Sequence, residues 1–250
     1  MLRVINISKS FKTKRRGIIE AVKNVSFECH EGEIFGLLGP NGAGKTTTLR
    51  IISTLMKQDS GEVFVKGIST LKEPERVRGI IGFLTSDMKV AGNLTGRELL
   101  TFFGRLNKMP DEKIKDRINI LSEMLALEDF IDRPPNKLSS GMKQKLSIAI
   151  SLIHDPQVII FDEPTNDLDM FAAKVVTDFL KEMKSKGKTI IISTHIMSVA
   201  EKLCDRIGLI FSGSLVENGT LSEILKKNES NDLEEVFFKY ANDLGVMRNV

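Results

Sequence analysis

GPNGAGKTT, residues 39–47, is the stretch of this 250-residue sequence that decides its fold. It fits the pattern G-x-x-x-x-G-K-[ST], whose glycines let the backbone fold tightly so that successive N–H groups converge on phosphate oxygens. The apolar run EIFGLL precedes it and TTTLRIISTLM, residues 46–56 and read as a helix, follows it. A glycine-rich turn without a ligand is the alternative, but every fixed position of the pattern is filled. This order of elements predicts a phosphate site at a helix N-terminus.

The predicted nucleotide-binding residues are the whole of this loop. Within it, Lys45 is expected to reach the β and γ phosphates, and Thr46 is expected to ligate Mg²⁺. The full set is Gly39, Pro40, Asn41, Gly42, Ala43, Gly44, Lys45, Thr46 and Thr47.

A second stretch, VIIFDEPTNDLD (158–169), places two carboxylates after an apolar strand. Such a run is typical of a strand buried on both faces, and ligands bind at the carboxyl ends of strands in open α/β sheets. Asp162 is therefore predicted to hold Mg²⁺, and Glu163 to act as general base on an attacking water. Adjacent carboxylates at a strand end are more often a solvated loop or a helix cap, but a phosphate loop in the same chain favours the catalytic interpretation.

Composition excludes several classes of protein. The chain has 36 basic and 33 acidic residues, a net charge of +3 that does not by itself predict a nucleic-acid partner. Its apolar runs are far shorter than the roughly 20 residues that cross a bilayer. The two cysteines, Cys29 and Cys204, stand far apart and form no CxxC pair, which is typical of buried thiols in a reducing cytoplasm.

Strands and helices alternate along most of the chain. Short β-rich runs occupy the first part, a mainly helical block covers about 96–153, and the alternation then resumes through VIIFDE, a helix at 171–186 and TIIIST. The pattern predicts an α/β fold with a largely parallel core sheet, a small N-terminal β-rich lobe and an α-helical insertion.

The motif LSSGMKQKL, residues 138–146, resembles the LSGGQ signature of ATP-binding cassette (ABC) proteins. It opens a predicted helix, where an N-terminus attracts anions. Residues 166–169, NDLD, match the family's D-loop, and His195 in TIIISTH matches its switch histidine. The resemblance covers nearly the whole chain, from Arg3 to about Thr220.

This resemblance implies a P-loop NTPase fold of the RecA type, with an antiparallel N-terminal subdomain. It implies an ABC ATPase domain over 1–220, a helical subdomain at about 87–155, and a short helical tail over 221–250. Phe11 takes the position that stacks on adenine, with a core phenylalanine as the alternative. The resemblance also implies that His195 contacts the γ-phosphate. Two cassettes pair head to tail, so that Ser139 and Gly141 of a second copy close each ATP site.

The implied function is ATP binding and hydrolysis that energises a separate membrane permease, from the cytoplasmic face of the cell membrane. FLTSD, the signature and the tail LEEVFFKY resemble NatA-type cassettes of bacterial sodium exporters. The cargo is then sodium or a small molecule. A cassette ATPase acting on ribosomes or nucleic acid is the first alternative, disfavoured because no second cassette, coiled-coil insertion or zinc-type cysteine set is present. A weakly hydrolysing regulator is the second.

Two departures from the family pattern bear on mechanism. Ser86 stands where a glutamine normally touches the metal and the attacking water, and a serine hydroxyl is expected to reach those ligands only through water. Asp167 takes a small-residue position of the D-loop, where an added carboxylate is expected to weaken ATP-driven closure of the dimer.

Overall fold

A computed structural model of the chain describes residues 1–13, 17–85, 88 and 90–245. Within these residues the strands form two sheets, and helices cover the larger one. The strands are β1 (Leu2–Thr13), β2 (Gly17–Cys29), β3 (Ile34–Leu38), β4 (Ser60–Val65), β5 (Ile68–Ser69), β6 (Ile81–Leu84), β7 (Val158–Asp162), β8 (Thr189–Thr194), β9 (Arg206–Phe211) and β10 (Ser214–Gly219). The helices are α1 (Lys45–Ile52), α2 (Pro74–Arg78), α3 (Gly96–Leu106), α4 (Asp111–Leu125), α5 (Ser140–Leu152), α6 (Met170–Ser185), α7 (Met197–Leu203), α8 (Leu221–Asn228) and α9 (Leu233–Asp243).

The larger sheet runs in the order β10-β9-β3-β8-β7-β6. Every neighbouring pair from β9 to β6 is parallel, and β10 joins the edge antiparallel to β9. Strands β3, β7 and β8 are buried along their whole length, which is why they read as continuous apolar runs. Their carboxyl ends meet at one edge of the sheet, next to the phosphate loop. The predicted α/β fold with a parallel core sheet is confirmed.

The smaller sheet is antiparallel, in the order β2-β1-β4-β5. Apolar side chains on one face of β1, β2 and β4 form a core together with α1. Within that core the rings of Phe27 and Phe35 stack with centroids 4.6 Å apart, and so tie β2 to β3 of the parallel sheet. This packing fixes the antiparallel layer beside the phosphate loop.

Helices α3, α4 and α5 form the helical part between β6 and β7. Thr95 and Glu98 make a capping box at the start of α3, which satisfies two backbone N–H groups. Apolar side chains from all three helices join one buried cluster with β7 and α6. The signature segment therefore lies at the start of a helix that is packed into the core of the protein.

The bounds of two helices differ from the sequence prediction. Helix α1 ends at Ile52 rather than at residue 56, because Thr54 adopts φ +64° and the N–H groups of Leu55 and Met56 both return to the carbonyl of Arg50. This backbone turn closes the helix end. Helix α6 spans 170–185 instead of 171–186 and is followed, as expected, by Gly187 with φ +79°.

Helices α8 and α9 pack on β9, β10 and α7 through a third apolar cluster. The anchor is Glu217, which is 6% exposed and accepts hydrogen bonds from Lys227, Asn228 and the hydroxyl of Tyr240. Burial raises the pKa of Glu217, but hydrogen bonds, that from Lys227 first, outweigh it and hold the pKa below its usual value. In the described part of the chain, no helix is long and apolar enough to cross a membrane.

Candidate functional site

The phosphate loop connects the end of β3 to the start of α1, and two of its glycines are required by close packing. A Cβ on Gly39 would lie 2.2 Å from the carbonyl oxygen of Ile210. Gly44 has φ +105°, and a Cβ there would lie 2.3 Å from the carbonyl oxygen of Ala21. At Gly39 only glycine fits the space, and at Gly44 only glycine fits both the space and the backbone angle. The loop therefore keeps its shape because these side chains are absent.

The first turn of α1 offers an anion site. Its N-cap is Gly44, no side chain of the described residues caps the helix, and its first turn contains no acidic residue. The leading N–H groups of a helix have no intrahelical acceptor, and the helix dipole adds positive potential there. A cleft of about 150 Å³ opens at this end, lined by Ala21, Asn41, Gly42, Gly44, Lys45, Thr46, Thr47 and Glu163.

The ammonium group of Lys45 lies inside this region. It donates hydrogen bonds to the carbonyl oxygens of Gly39 at 2.7 Å and Pro40 at 3.1 Å, and lies 3.5 Å from a carboxylate oxygen of Glu163. Burial lowers the pKa of Lys45, an effect that the carboxylates of Glu163 and Asp162 oppose. An anionic ligand at the helix N-terminus would therefore favour the charged lysine.

Asp162 ends β7 and is fully buried. One carboxylate oxygen accepts a hydrogen bond from the hydroxyl of Thr46 at 2.7 Å, and the other accepts one from the hydroxyl of Ser193 at 2.5 Å. Thr46 and Asp162 thus present a hydroxyl and a carboxylate side by side. These are the hard oxygen ligands that Mg²⁺ prefers, so the donor set fits that ion.

Glu163 is the next residue after Asp162, and its backbone adopts a left-handed conformation. Its φ of +51° is unusual for a residue with a side chain and costs about 1–3 kcal/mol. The turn brings one carboxylate oxygen to 3.1 Å from Nδ1 of His195, while the other faces Lys45. The two adjacent carboxylates consequently face different partners.

Comparison with known proteins is consistent with this site. The model of a family described as "ABC transporter" matches residues 22–166. The ABC transporter ATP-binding protein NatA of Bacillus subtilis is 38% identical, over 95% of this chain and 96% of its own length. The chain belongs to the ABC transporter family. It is an ATP-binding subunit that hydrolyses ATP.

Two further relatives are informative about this cassette. Nod factor export ATP-binding protein I of Ralstonia nicotianae is 37% identical, over 95% of this chain and 73% of its own length. The solved dimeric structure of the ATP-binding cassette MJ0796, in a post-hydrolysis state bound to ADP and Pi, aligns with a TM-score of 0.80. It is 31% identical and covers 88% of this chain and 99% of its own.

The predicted signature residues do not line the cleft of their own cassette. Ser139 is exposed and caps α5 by accepting a hydrogen bond from the N–H of Met142 at 3.3 Å. Gly141 is buried, and a Cβ there would lie 3.3 Å from the Cβ of Ala172 at the start of α6. The structure thus brings together Lys45, Thr46, Asp162, Glu163 and His195, whereas Ser139 and Gly141 are not among the residues that line this cleft.

Phe11, the predicted adenine-stacking residue, is not among the residues that line the cleft. It sits in β1 opposite Ile19 of β2 and is half-buried. The ammonium of Lys9 lies 5.9 Å from the centre of its ring. Its role as a nucleotide contact stays a prediction.

Ser86 and its neighbour Asp87 lie outside the described residues, so the missing-glutamine prediction stays as it was. Asp167 is described. It has φ +57°, and its carboxylate accepts a hydrogen bond from the side-chain amide of Asn166 at 3.3 Å. The D-loop therefore carries a carboxylate on a backbone turn that suits glycine or asparagine.

Sequence reasoning missed two residues that contact this site. Ser193 bonds to Asp162 and to the backbone of Glu163, and the side-chain amide of Gln144 donates to the carbonyl oxygen of Pro164 at 3.2 Å. Ser193 lies two residues before His195 on β8. Polar residues at the carboxyl end of TIIIST were a signal, since the matching end of β7 carries the carboxylates.

Proposed function

We propose that this cassette hydrolyses ATP with Glu163 as general base and so energises export through a separate membrane permease. The observation that carries the proposal is the placement of Glu163. One of its carboxylate oxygens faces Lys45 at 3.5 Å and the other faces His195 at 3.1 Å, beside a helix N-terminus suited to phosphate. A base held between a lysine and a histidine is poised to act on a water next to the terminal phosphate.

Each residue then has a separate task. Lys45 and the N–H groups of the loop bind the phosphates, and His195 orients Glu163 and contacts the γ-phosphate. Thr46 and Asp162 would hold Mg²⁺, which when bound neutralises charge on the phosphates. Glu163 accepts a proton from the attacking water. The water oxygen bonds to the γ-phosphorus as the bond from that phosphorus to the β,γ-bridging oxygen breaks, so the products are ADP and inorganic phosphate.

The working unit we propose is a head-to-tail dimer of two copies. The start of α5 is exposed at Ser139 and lies outside the cleft of its own chain. A helix N-terminus of this kind is suited to phosphate from a second molecule. The similarity to a cassette solved as a dimer supports this arrangement. Ser139 and Gly141 of the second copy would close the site over the γ-phosphate.

We place the protein at the cytoplasmic face of the cell membrane, bound to an integral-membrane permease, with no nucleic-acid partner. The ATPase domain would span 1–220, with its helical subdomain at about 87–155 and a tail over 221–250. Export is supported by the relative whose name includes export. Affinity purification from native membranes should recover a multi-span protein with the cassette. Recovery of ribosomes or DNA in its place would contradict the transport function.

Asp167 provides a test of the dimer. Replacing it with Asn or Gly should tighten the ATP-bound dimer about fivefold, because one carboxylate near the phosphates is worth ~1 kcal/mol of repulsion in water-like surroundings. Both replacements suit the observed φ of +57°. The dimer dissociation constant, measured with ATP in a non-hydrolysing background, checks this.

The matched control for Asp167 is Asp178→Asn. Asp178 is an exposed carboxylate on α6 paired with Lys174 at 2.8 Å. That variant should leave dimerisation unchanged. Equal dimerisation in the Asp167 variants and in the unaltered chain would count against the D-loop hypothesis.

A further inference from the structure

Ser193 is a fully buried hydroxyl at the carboxyl end of β8, in the site but outside the phosphate loop. Its strand pairs with β7 so that Ser193 lies opposite Asp162. A buried hydroxyl has to satisfy its hydrogen bonds within the protein. The partners of the Ser193 hydroxyl therefore show which groups it holds in place.

The hydroxyl of Ser193 makes two bonds, one to each of two consecutive acidic residues. It donates to one carboxylate oxygen of Asp162 at 2.5 Å and accepts from the backbone N–H of Glu163 at 3.0 Å. The carbonyl oxygen of Ser193 also accepts from that N–H at 3.2 Å. One residue of β8 thus fixes the side chain of Asp162 and the backbone of Glu163.

The bond to Asp162 determines how its carboxylate is oriented. With one oxygen held by Ser193, the other points to the hydroxyl of Thr46 at 2.7 Å. A buried carboxylate held on both sides cannot rotate freely, and outer partners of this kind orient the groups that hold a metal.

The bond to the N–H of Glu163 holds the backbone in its left-handed turn. That turn, with φ +51°, is what directs the Glu163 side chain away from Asp162 and towards His195. An uncommon backbone angle persists only when neighbouring groups hold it. Ser193 is such a group, because both its hydroxyl and its carbonyl bond to this one N–H.

We propose that Ser193 is a positioning residue that assigns separate tasks to the two adjacent carboxylates, keeping Asp162 on Thr46 and Glu163 on His195. This inference rests on the proposed roles of Asp162 and Glu163. Ser193 acts through the two residues to which it bonds, by fixing their orientation.

The test compares Ser193→Ala and Ser193→Thr with the unaltered chain. Ser193→Ala should lower kcat about 10- to 100-fold, as expected for the loss of a hydrogen bond to a charged group, with KM for ATP within about twofold. Ser193→Thr keeps the hydroxyl and should recover most of kcat. Ser151→Ala is the control, since the Ser151 hydroxyl is also buried but donates to the carbonyl oxygen of Ile148 in its own helix.

A second readout does not depend on turnover. The dissociation constant of ATP is measured in excess EDTA and in excess Mg²⁺, and their ratio reports how strongly the metal contributes to binding. Ser193→Ala should reduce this ratio several-fold while leaving the constant in EDTA unchanged, and Ser193→Thr should restore the ratio. If Ser193→Ala does not fold by thermal melting, Ser193→Cys, of nearly equal size and a weak donor, takes its place.

The outcomes separate this inference from the proposed function. A Ser193→Ala protein with the unaltered ratio overturns the positioning role, and so does one whose ATP binding in EDTA is lost to the same extent as in Mg²⁺. Glu163→Gln is assayed in parallel. Full ATPase activity in Glu163→Gln would contradict the general-base role of Glu163. An inactive Glu163→Gln together with unchanged activity and metal dependence in Ser193→Ala would contradict the role of Ser193 alone.

Discussion

Glu163→Gln should lower the kcat for ATP hydrolysis about 100- to 10,000-fold, the usual contribution of a general base. The amide has nearly the shape of the carboxylate and still bonds to His195, but it cannot accept a proton from water. Binding of ATP should persist, because Lys45 and the phosphate loop are unchanged. Steady-state phosphate release and equilibrium nucleotide binding, measured on the same sample, check both parts.

Glu182→Gln is the matched control for this change. Glu182 is a half-exposed carboxylate on α6 that pairs with Lys186 at 2.8 Å, one helical turn along. Such surface pairs contribute only about 0.3–0.5 kcal/mol to stability, so kcat should stay at the level of the unaltered chain. A Glu163→Gln protein as active as Glu182→Gln would remove the general-base assignment.

Lys45→Ala should weaken ATP binding about 10- to 100-fold and reduce hydrolysis further. Lys45 is only 4% exposed, and the loss of its ammonium removes charge-assisted hydrogen bonds in a buried site. The change also leaves the carboxylate of Glu163 without its nearest cation beside the phosphates. Titration with a fluorescent ATP analogue, followed by a hydrolysis assay at saturating ATP, separates the two effects.

For Lys45, the control is Lys174→Ala. Lys174 lies on the exposed face of α6 with its partner Asp178 at 2.8 Å, so its removal should change neither affinity nor rate. Unaltered ATP affinity in Lys45→Ala would mean that nucleotide binds elsewhere. The loop would then be a structural turn, and the remaining assignments would lose their reference point.

The sequence predicted the parts of this fold that follow from backbone requirements and burial. Gly39 and Gly44 stand at the fixed glycine positions of the phosphate-loop pattern. The structure shows why, since a Cβ at either position would clash with a backbone carbonyl oxygen. The meeting of Thr46 with Asp162, 116 residues apart, was also predictable. Parallel strands bring their carboxyl ends to one edge, and each motif was placed at such an end.

The rest depended on three-dimensional detail that a pattern does not carry. The sequence predicts that α1 ends at residue 56, four residues beyond its observed end at Ile52. The left-handed angle of Thr54 ends the helix, and a threonine does not indicate such an angle in a sequence. The polar end of TIIIST is typical of a ligand-binding sheet edge, but the pattern does not show which partners are bonded by Ser193. Its importance arises only from the register that sets it opposite Asp162.

The signature segment also has one feature that the sequence shows and one that only the structure shows. The sequence shows its likeness to LSGGQ. The position of Ser139 relative to the cleft depends on how α5 packs against β7 and α6. A site completed by a second molecule cannot be read from a single chain's own contacts. The proposed mechanism therefore depends most on whether ATP brings two copies of this chain together.

The most direct test is the mass of Glu163→Gln in solution, measured by light scattering with and without saturating ATP. One chain has a mass of 27.9 kDa. Without nucleotide the account predicts that mass, and with ATP it predicts twice that mass, because a site that binds but does not hydrolyse keeps the two copies closed. A protein that binds ATP and yet keeps the mass of one chain would contradict the shared site.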